Sequence, residues 1–270
     1  MTTLGFSPCP NDTFIFYAIA NKKIDLSGFD FELTVEDVET LNSLALRREL
    51  DVSKVSCHAY YHLRNDYVFL KAGAALGRGC GPLIVTKKDM ALADLKDSKI
   101  AVPGRYTTAA LLLKLCLSEN FGAGAGNFII MPFNLIMAAV SRGEVDAGLI
   151  IHEGRFTYPE YGLRQLADLG VWWEKKTGLP IPLGGIAAKK TLGSAAVAAI
   201  ENLIRASVNY SFLHKEEAMP YIKQNAQELS EKVIMEHIGL YVNPYTITIA
   251  HEGEAALEML LKMTSECGGI

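Results

Sequence analysis

Short apolar runs alternate with helical segments up to about residue 190, and this alternation restricts the possible folds more than any other feature. Residues 29–35 alternate apolar and polar side chains, and residues 82–86 form an apolar run, so both predict strands. Residues 109–117 predict a helix, and from Ser194 onward the pattern is helical almost throughout. Strands that alternate with helices favour an α/β fold in which helices cover the sheets.

Two segments repeat one pattern, an apolar run that ends in two lysines, at residues 84–88 and 186–190. We interpret them as the points where the chain crosses between two lobes. The expected larger lobe comprises residues 1–86 plus 185–270, and residues 87–184 form a smaller inserted lobe. A ligand cleft is expected between the lobes. A hinge is expected at residues 82–86 and 183–187, next to Gly81, Gly184 and Gly185.

Composition narrows the class of protein further. The chain has 270 residues, of which 50% are hydrophobic and 21% charged, as in ordinary globular proteins. Its net charge of −4 is spread without long runs of one sign, so nucleic acid is not an expected partner. No apolar run approaches the ~20 residues of a membrane span, and residues 1–8 lack the features of a secretory signal. We therefore expect a cytoplasmic protein without membrane insertion.

The cysteines give no sign of a disulfide framework or a metal site. The chain has five of them, an odd number, and no two have Cys-x-x-Cys spacing. Structural zinc sites usually need such closely spaced pairs. We therefore expect neither a disulfide framework nor a structural zinc site.

His152 is the residue most strongly placed for chemistry. Residues 149–151 form a short apolar run that predicts a buried strand, and polarity changes abruptly at His152. In α/β proteins the carboxyl ends of strands face the ligand crevice, and an imidazole can accept and return a proton near pH 7. The alternative is a histidine that only ends a strand and bonds a backbone carbonyl. The other five histidines are expected on helices: His58, His62, His214, His237 and His251.

Three predicted helix starts offer anion sites. Asn11 or Asp12 is expected to cap a helix after a proline-rich turn, Ser56 follows a short strand, and Thr107 or Thr108 opens another helix. The first N–H groups of a helix have no partner within it, so they can bind an anion. Simple N-capping is the alternative at each position, and the two uses are compatible.

Six motifs then resemble one enzyme family. The chain is similar to the 1,4-dihydroxy-6-naphthoate synthase family of the futalosine route to menaquinone, and its architecture resembles the type II periplasmic-binding-protein fold. The motifs occur in order and span most of the chain, at residues 5–14, 36–42, 75–79, 102–109, 148–158 and 177–184.

The resemblance implies a lyase that converts cyclic dehypoxanthinyl futalosine to 1,4-dihydroxy-6-naphthoate and dihydroxyacetone without metal or cofactor. It implies that His152 is the proton acceptor. It assigns substrate binding to two segments, which comprise Lys54, Val55, Ser56, Thr108 and Ala109. Three further positions lie in matching motifs and are expected as second-line pocket residues: Asn42, Arg78 and Thr107.

Two other functions remain open at this point. A non-enzymatic receptor for a small carboxylate is the first, because the fold type is best known for solute binding. The sister chorismate dehydratase of the same pathway is the second. A base at the strand end argues against the receptor, and the motifs at residues 7–14 and 150–153 argue against the dehydratase. The oligomeric state is left open.

Overall fold

The computed structural model describes residues 1–226 and 230–267. Its strands are β1 (Thr2–Phe6), β2 (Phe31–Val35), β3 (Val52–Ser56), β4 (Tyr67–Phe69), β5 (Ala75–Gly77), β6 (Leu83–Thr86), β7 (Lys99–Val102), β8 (Asn127–Ile130), β9 (Ala147–Ile150), β10 (Arg164–Asp168) and β11 (Ile181–Lys189).

Helices fill most of the connections and the carboxyl-terminal third. They are α1 (Pro10–Ala20), α2 (Val38–Leu46), α3 (Cys57–Leu63), α4 (Thr108–Phe121), α5 (Phe133–Arg142), α6 (Gly154–Thr157), α7 (Leu169–Thr177), α8 (Ser194–Leu213), α9 (Lys215–Asn225), α10 (Glu231–Tyr241), α11 (Pro244–Ile247) and α12 (Ala250–Glu266). Short 3₁₀ turns span Leu92–Asp97, Tyr158–Tyr161 and Lys190–Leu192.

The strands form two sheets. The first has the order β2-β1-β3-β11-β4, with β5 also paired to β11, and the second has the order β10-β6-β9-β7-β8. The strands β1, β2 and β3 are parallel, as are β7, β8 and β9, whereas β11 and β6 run antiparallel to their neighbours. The predicted α/β class is therefore confirmed.

Each sheet is covered by helices that bury its apolar side chains. On the first sheet, Leu4 and Ile186 pack in one core with Phe16 of α1 and Ile204 of α8. On the second, Val85 packs against α5. Burying one such side chain contributes about 1.5–3 kcal/mol, which explains the apolar runs of buried strands such as β6 and β9.

The crossings between the sheets lie slightly earlier in the chain than expected. Residues 83–86 are paired in the second sheet along their whole length, and residues 181–189 are paired in the first. The connecting segments are therefore residues 78–82 and 178–180, and the expected hinge segments are themselves paired strands. The lobe limits at residues 86 and 184 stay a prediction, although sheet pairing groups β6 with the inserted lobe.

The connecting segment at residues 78–82 is tightly packed. A Cβ atom on Gly81 would lie 2.2 Å from the backbone nitrogen of Gly170, well inside van der Waals contact. Only glycine therefore permits this backbone approach.

The first helix begins earlier than predicted. Neither Asn11 nor Asp12 is its cap, because α1 starts at Pro10 and Cys9 is the capping residue. Proline suits the first helical position because it lacks the N–H that would be unpaired there. Asn11 and Asp12 thus lie in the first turn and their side chains are buried.

Candidate active site

A cleft lies where the ends of β3 and β9 approach the starts of α1 and α4. Clefts between lobes are a preferred place for small-molecule sites. Its lining residues are Ser7, Asn11, Asp12, Val38, Lys54, Val55, Ser56, Ala75, Cys80, Pro82, Thr107, Thr108, Ala109, Ile151, His152, Leu183, Gly184 and Tyr241. Both predicted binding segments and His152 therefore line one cleft.

Ser56 ends β3 and is the capping residue of α3, but its side chain makes no cap hydrogen bond. Its orientation comes from Asn42, whose Oδ1 accepts the Ser56 N–H at 2.9 Å and whose Nδ2 donates to Ser56 Oγ at 3.1 Å. Because Ser56 Oγ is the acceptor in this bond, its hydroxyl proton is available to a ligand. Asn42 itself is fully buried behind Ser56 and does not line the cleft.

The start of α4 offers backbone donors more than hydroxyl groups. Thr107 Oγ1 accepts the Ala110 N–H at 3.2 Å, so it caps the helix. Thr108 Oγ1 donates to Leu183 O at 2.6 Å and accepts the His58 N–H at 3.3 Å. These bonds use the hydroxyl groups for structure, and the first-turn N–H groups of Thr108 and Ala109 remain the natural anion donors.

Lys54 is a buried lysine near the end of β3. Its side chain is 6% exposed, and Nζ lies 2.7 Å from Oδ1 of Asp12. Asp12 also accepts hydrogen bonds from the Ser7 hydroxyl at 2.7 Å and from Nδ2 of Asn11 at 2.8 Å. A buried charge needs such partners, since an unpaired one costs several kcal/mol. The ion pair thus holds the ammonium group at the cleft surface.

His152 follows the second sheet's central strand by two residues and is partly buried. Its backbone φ is +55°, a conformation that non-glycine residues seldom adopt and that is common at functional sites. The imidazole packs between Phe133, at 5.2 Å between ring centroids, and His237, at 6.0 Å with the rings nearly parallel.

The surroundings keep His152 neutral near pH 7. Burial lowers its pKa below the ordinary value of 6.5, and this effect outweighs the carboxylates of Glu153 and Asp12, which act in the opposite direction. A neutral imidazole has a free lone pair, which a proton acceptor requires.

Arg78 does not line the cleft, contrary to the expectation for a pocket residue. Its side chain is 45% exposed, donates to Gly178 O at 3.0 Å and pairs with Glu252 at 2.8 Å. It therefore links the two connecting segments on the outer surface. A glycine-rich motif indicates close packing but cannot indicate the direction in which its arginine points.

Sequence reasoning missed residues that anchor the site from distant parts of the chain. Arg155 donates to Gly81 O at 2.6 Å and to Asp168 at 2.7 Å, which fastens the turn after His152. Glu39 of α2 accepts the N–H groups of Arg105 and Tyr106 just before α4. His237, predicted merely as helical, is fully buried beside His152. The motifs at residues 36–42 and 148–158 contained Glu39 and Arg155, but only the fold gives their partners.

In the described part of the chain one group of side chains could hold a metal ion. The donor atoms of Cys9, His152 and Glu153 lie within 4.8 Å of one another. Burial raises the pKa of Cys9 well above its usual range, which opposes the thiolate that a metal would need. The expectation of a metal-free and cofactor-free site stays a prediction.

Over residues 1–226 and 230–267, no helix is both long and apolar enough to cross a bilayer. A cytoplasmic location stays a prediction.

The two helix-covered sheets with a cleft between them define a two-lobed fold of the periplasmic-binding-protein type. Solved structures agree with this class. The periplasmic aliphatic sulphonate binding protein of Escherichia coli has a TM-score of 0.70 at 12% identity, with 98% of this chain and 86% of that chain covered. At that identity the likeness concerns the fold alone.

The sequence profile described as menaquinone biosynthesis matches residues 2–266, so the chain belongs to that enzyme family. The 1,4-dihydroxy-6-naphthoate synthase of Thermus thermophilus is 48% identical over 257 residues, covering 95% of this chain and 91% of the relative. A crystal structure of a protein from Archaeoglobus fulgidus has a TM-score of 0.92 at 37% identity, with 99% and 98% of the two chains covered. The family and the fold predicted from the sequence are both confirmed.

Proposed function

We propose that this chain converts cyclic dehypoxanthinyl futalosine to 1,4-dihydroxy-6-naphthoate, with dihydroxyacetone as the second product. The observation that carries the proposal is that His152, which burial keeps neutral, lines the same cleft as the anion donors of α4. A receptor needs anion donors but no base. A 1,4-dihydroxy-6-naphthoate synthase needs both, and the relative from Thermus thermophilus bears that name.

The substrate carboxylate would bind at the start of α4. The N–H groups of Thr108 and Ala109 and the hydroxyl group of Ser56 are donors on one cleft wall. The positive end of the α4 dipole adds to their attraction for an anion. Lys54 is already neutralised by Asp12, so it would orient a substrate oxygen without adding a second net charge.

His152 would remove a proton next to the substrate carbonyl. The carbon–carbon bond to the sugar remnant then breaks, and its electron pair leaves with the remnant, which takes up a proton to become dihydroxyacetone. The ring that remains becomes aromatic as its keto groups enolise. Aromatisation supplies driving force, so one base and fixed donors suffice for the chemistry. The side chains and backbone N–H groups that line the cleft supply the base and the donors for these steps.

The direct test is to incubate the purified protein with cyclic dehypoxanthinyl futalosine and, separately, with chorismate. We expect the naphthoate chromophore and dihydroxyacetone from the first and no turnover of the second. Chorismate dehydration would instead identify the sister enzyme. Binding of the first compound without product would identify a receptor, and either result would overturn the proposal.

A further inference from the structure

Two buried polar atoms lie behind His152 without a hydrogen-bond partner among the described residues. They are Oε2 of Glu153 and Nδ1 of His237, and they are 3.9 Å apart. Leaving buried polar atoms unpaired costs about 1–3 kcal/mol each. Such a pair beside a proposed base therefore suggests a function that fills the space between them.

The hydrogen-bond pattern fixes what each atom can do. Asn11 donates from Nδ2 to Asp12 Oδ1 at 2.8 Å, so its Oδ1 faces Nε2 of His237 at 2.9 Å. Because Oδ1 can only accept, the hydrogen of a neutral His237 is on Nε2. Its Nδ1 is then a bare acceptor that faces a carboxylate oxygen. Two acceptors face each other, and a single added proton would bond both.

The pair is close to the base on one side and to solvent on the other. The donor atoms of His152 and Glu153 lie within 4.8 Å, a distance that one water molecule or a modest rotation spans. Glu153 also lines a second cleft, which is separate from the first except for the shared Ile151. Part of the Glu153 side chain therefore borders a cleft other than the one proposed to hold the substrate.

We propose that Glu153 and His237 form an acceptor pair that takes the proton from His152 during turnover. The inference rests on the proposed role of His152. Both residues act through His152 and not on the substrate, so they are positioning residues.

The proton balance of this step is simple. After His152 has taken the substrate proton, its N–H bond breaks and an O–H bond forms on Glu153. That O–H donates to Nδ1 of His237, and His152 is neutral again. The reverse transfer returns the proton to His152, which can then protonate the departing sugar remnant.

Charges around the pair favour a neutral imidazole at His237. Burial first, and then His152 and Lys54, lower its pKa well below 6.5. The His237 imidazole therefore stays neutral near pH 7, and its Nδ1 stays a hydrogen-bond acceptor. The titratable groups that face His152, Glu153 and His237 are Cys9, Asp12, Asp37, Lys54 and Tyr241.

Glu153→Gln tests the pair because its amide is a permanent donor for Nδ1 of His237. We expect a thermal midpoint no lower than that of the wild type, with kcat reduced at least roughly tenfold and KM little changed. His237→Gln should lower kcat similarly. His251→Gln is the matched control, since His251 is fully exposed and far from this chemistry. If Glu153 and His237 had only a structural role, Glu153→Gln would keep the wild-type kcat.

Nitrogen-15 NMR of the ligand-free wild type supplies a readout that needs neither substrate nor a variant. Acidification should shift Nδ1 of His237 towards a hydrogen-bonded value, whereas Glu153→Gln should have that value at every pH. An unmoved Nδ1 signal, or a kcat within about twofold of wild type in Glu153→Gln, would overturn the inference. If the wild type forms no naphthoate, the proposed function fails, yet this titration still decides whether the pair takes up a proton.

Discussion

At the scale of single residues, His152 combines a strained backbone, partial burial and a lowered pKa. The strained backbone costs stability, and a perturbed pKa in a cleft is typical of a group shaped for proton transfer. A histidine that merely ended a strand would need none of them. The local geometry therefore favours the base over the alternative that the sequence left open.

The pH profile follows from the direction of the His152 pKa shift. Because burial lowers this pKa, the imidazole stays neutral down to a pH below 6.5. We expect kcat/KM to be flat near neutrality and to fall only under more acidic conditions. Steady-state kinetics from about pH 5 to 8 measure this. An acidic limb centred above 6.5 would contradict the assigned environment.

The ion pair between Lys54 and Asp12 gives a prediction on stability. Lys54→Met leaves a buried carboxylate without its cation, which should reduce the free energy of unfolding by about 3–5 kcal/mol. Combining it with Asp12→Asn should recover part of that loss. Urea denaturation of both variants is the measurement. Arg78→Ala is the control, and its exposed pairs predict a change within about 1 kcal/mol.

Local signals explain which site residues could be predicted. Ser56, Thr107, Thr108 and His152 stand at strand ends and helix starts, which periodicity reveals. Asp12 is bonded to Lys54, which lies 42 residues away in the sequence, and His237 is bonded to Asn11, which lies 226 residues away. Such partners depend on tertiary packing, so no local pattern could have assigned them. Arg78 was misplaced for the same reason.

At the scale of elements, helix α4 links fold and function through its capped start. Thr107 supplies the cap, and the next two residues supply the proposed anion donors. The order of strands and helices was predictable because a helix or strand that is buried on one face has apolar residues at regular intervals in the sequence, and a strand buried on both faces has a continuous apolar run. Helix α7 shows no such regular pattern, because the residues that follow its cap Asp168 have mixed polarity.

Removing the cap should affect both stability and binding. We expect Thr107→Ala to cost about 1 kcal/mol of folding free energy. It should also raise KM, because the donors of α4 lose their fixed position. Thr177→Ala is a matched control: it removes a threonine bonded to Trp173 O in α7, outside the cleft. Equal KM values for the two variants would argue that the α4 start does not bind substrate.

At the scale of the whole molecule, contacts cross the cleft at several points. Glu39 on α2 holds the backbone just before α4, and Thr108 donates to β11. We predict that the arrangement with these bonds is the closed one and that opening would occur at the connecting segments at residues 78–82 and 178–180. The sequence identified two crossings, but it could not place them to the residue, because sheet membership is decided by pairing.

Ligand should therefore favour the closed arrangement. We expect small-angle scattering to give a smaller radius of gyration with saturating 1,4-dihydroxy-6-naphthoate than without it. Glu39→Gln should weaken this compaction, since a neutral amide binds the two N–H groups less strongly than a carboxylate does. An unchanged radius in the wild type would indicate a rigid cleft.

The most direct test of the whole account is the turnover of cyclic dehypoxanthinyl futalosine by a folded His152→Asn variant. The fully exposed His251→Asn serves as its matched control. We predict that kcat/KM falls about 10²–10⁴-fold in His152→Asn, the usual contribution of a general base, while His251→Asn stays at the wild-type value. A His152→Asn variant that forms naphthoate within a fewfold of the wild-type rate would contradict the proposed base and the mechanism built on it.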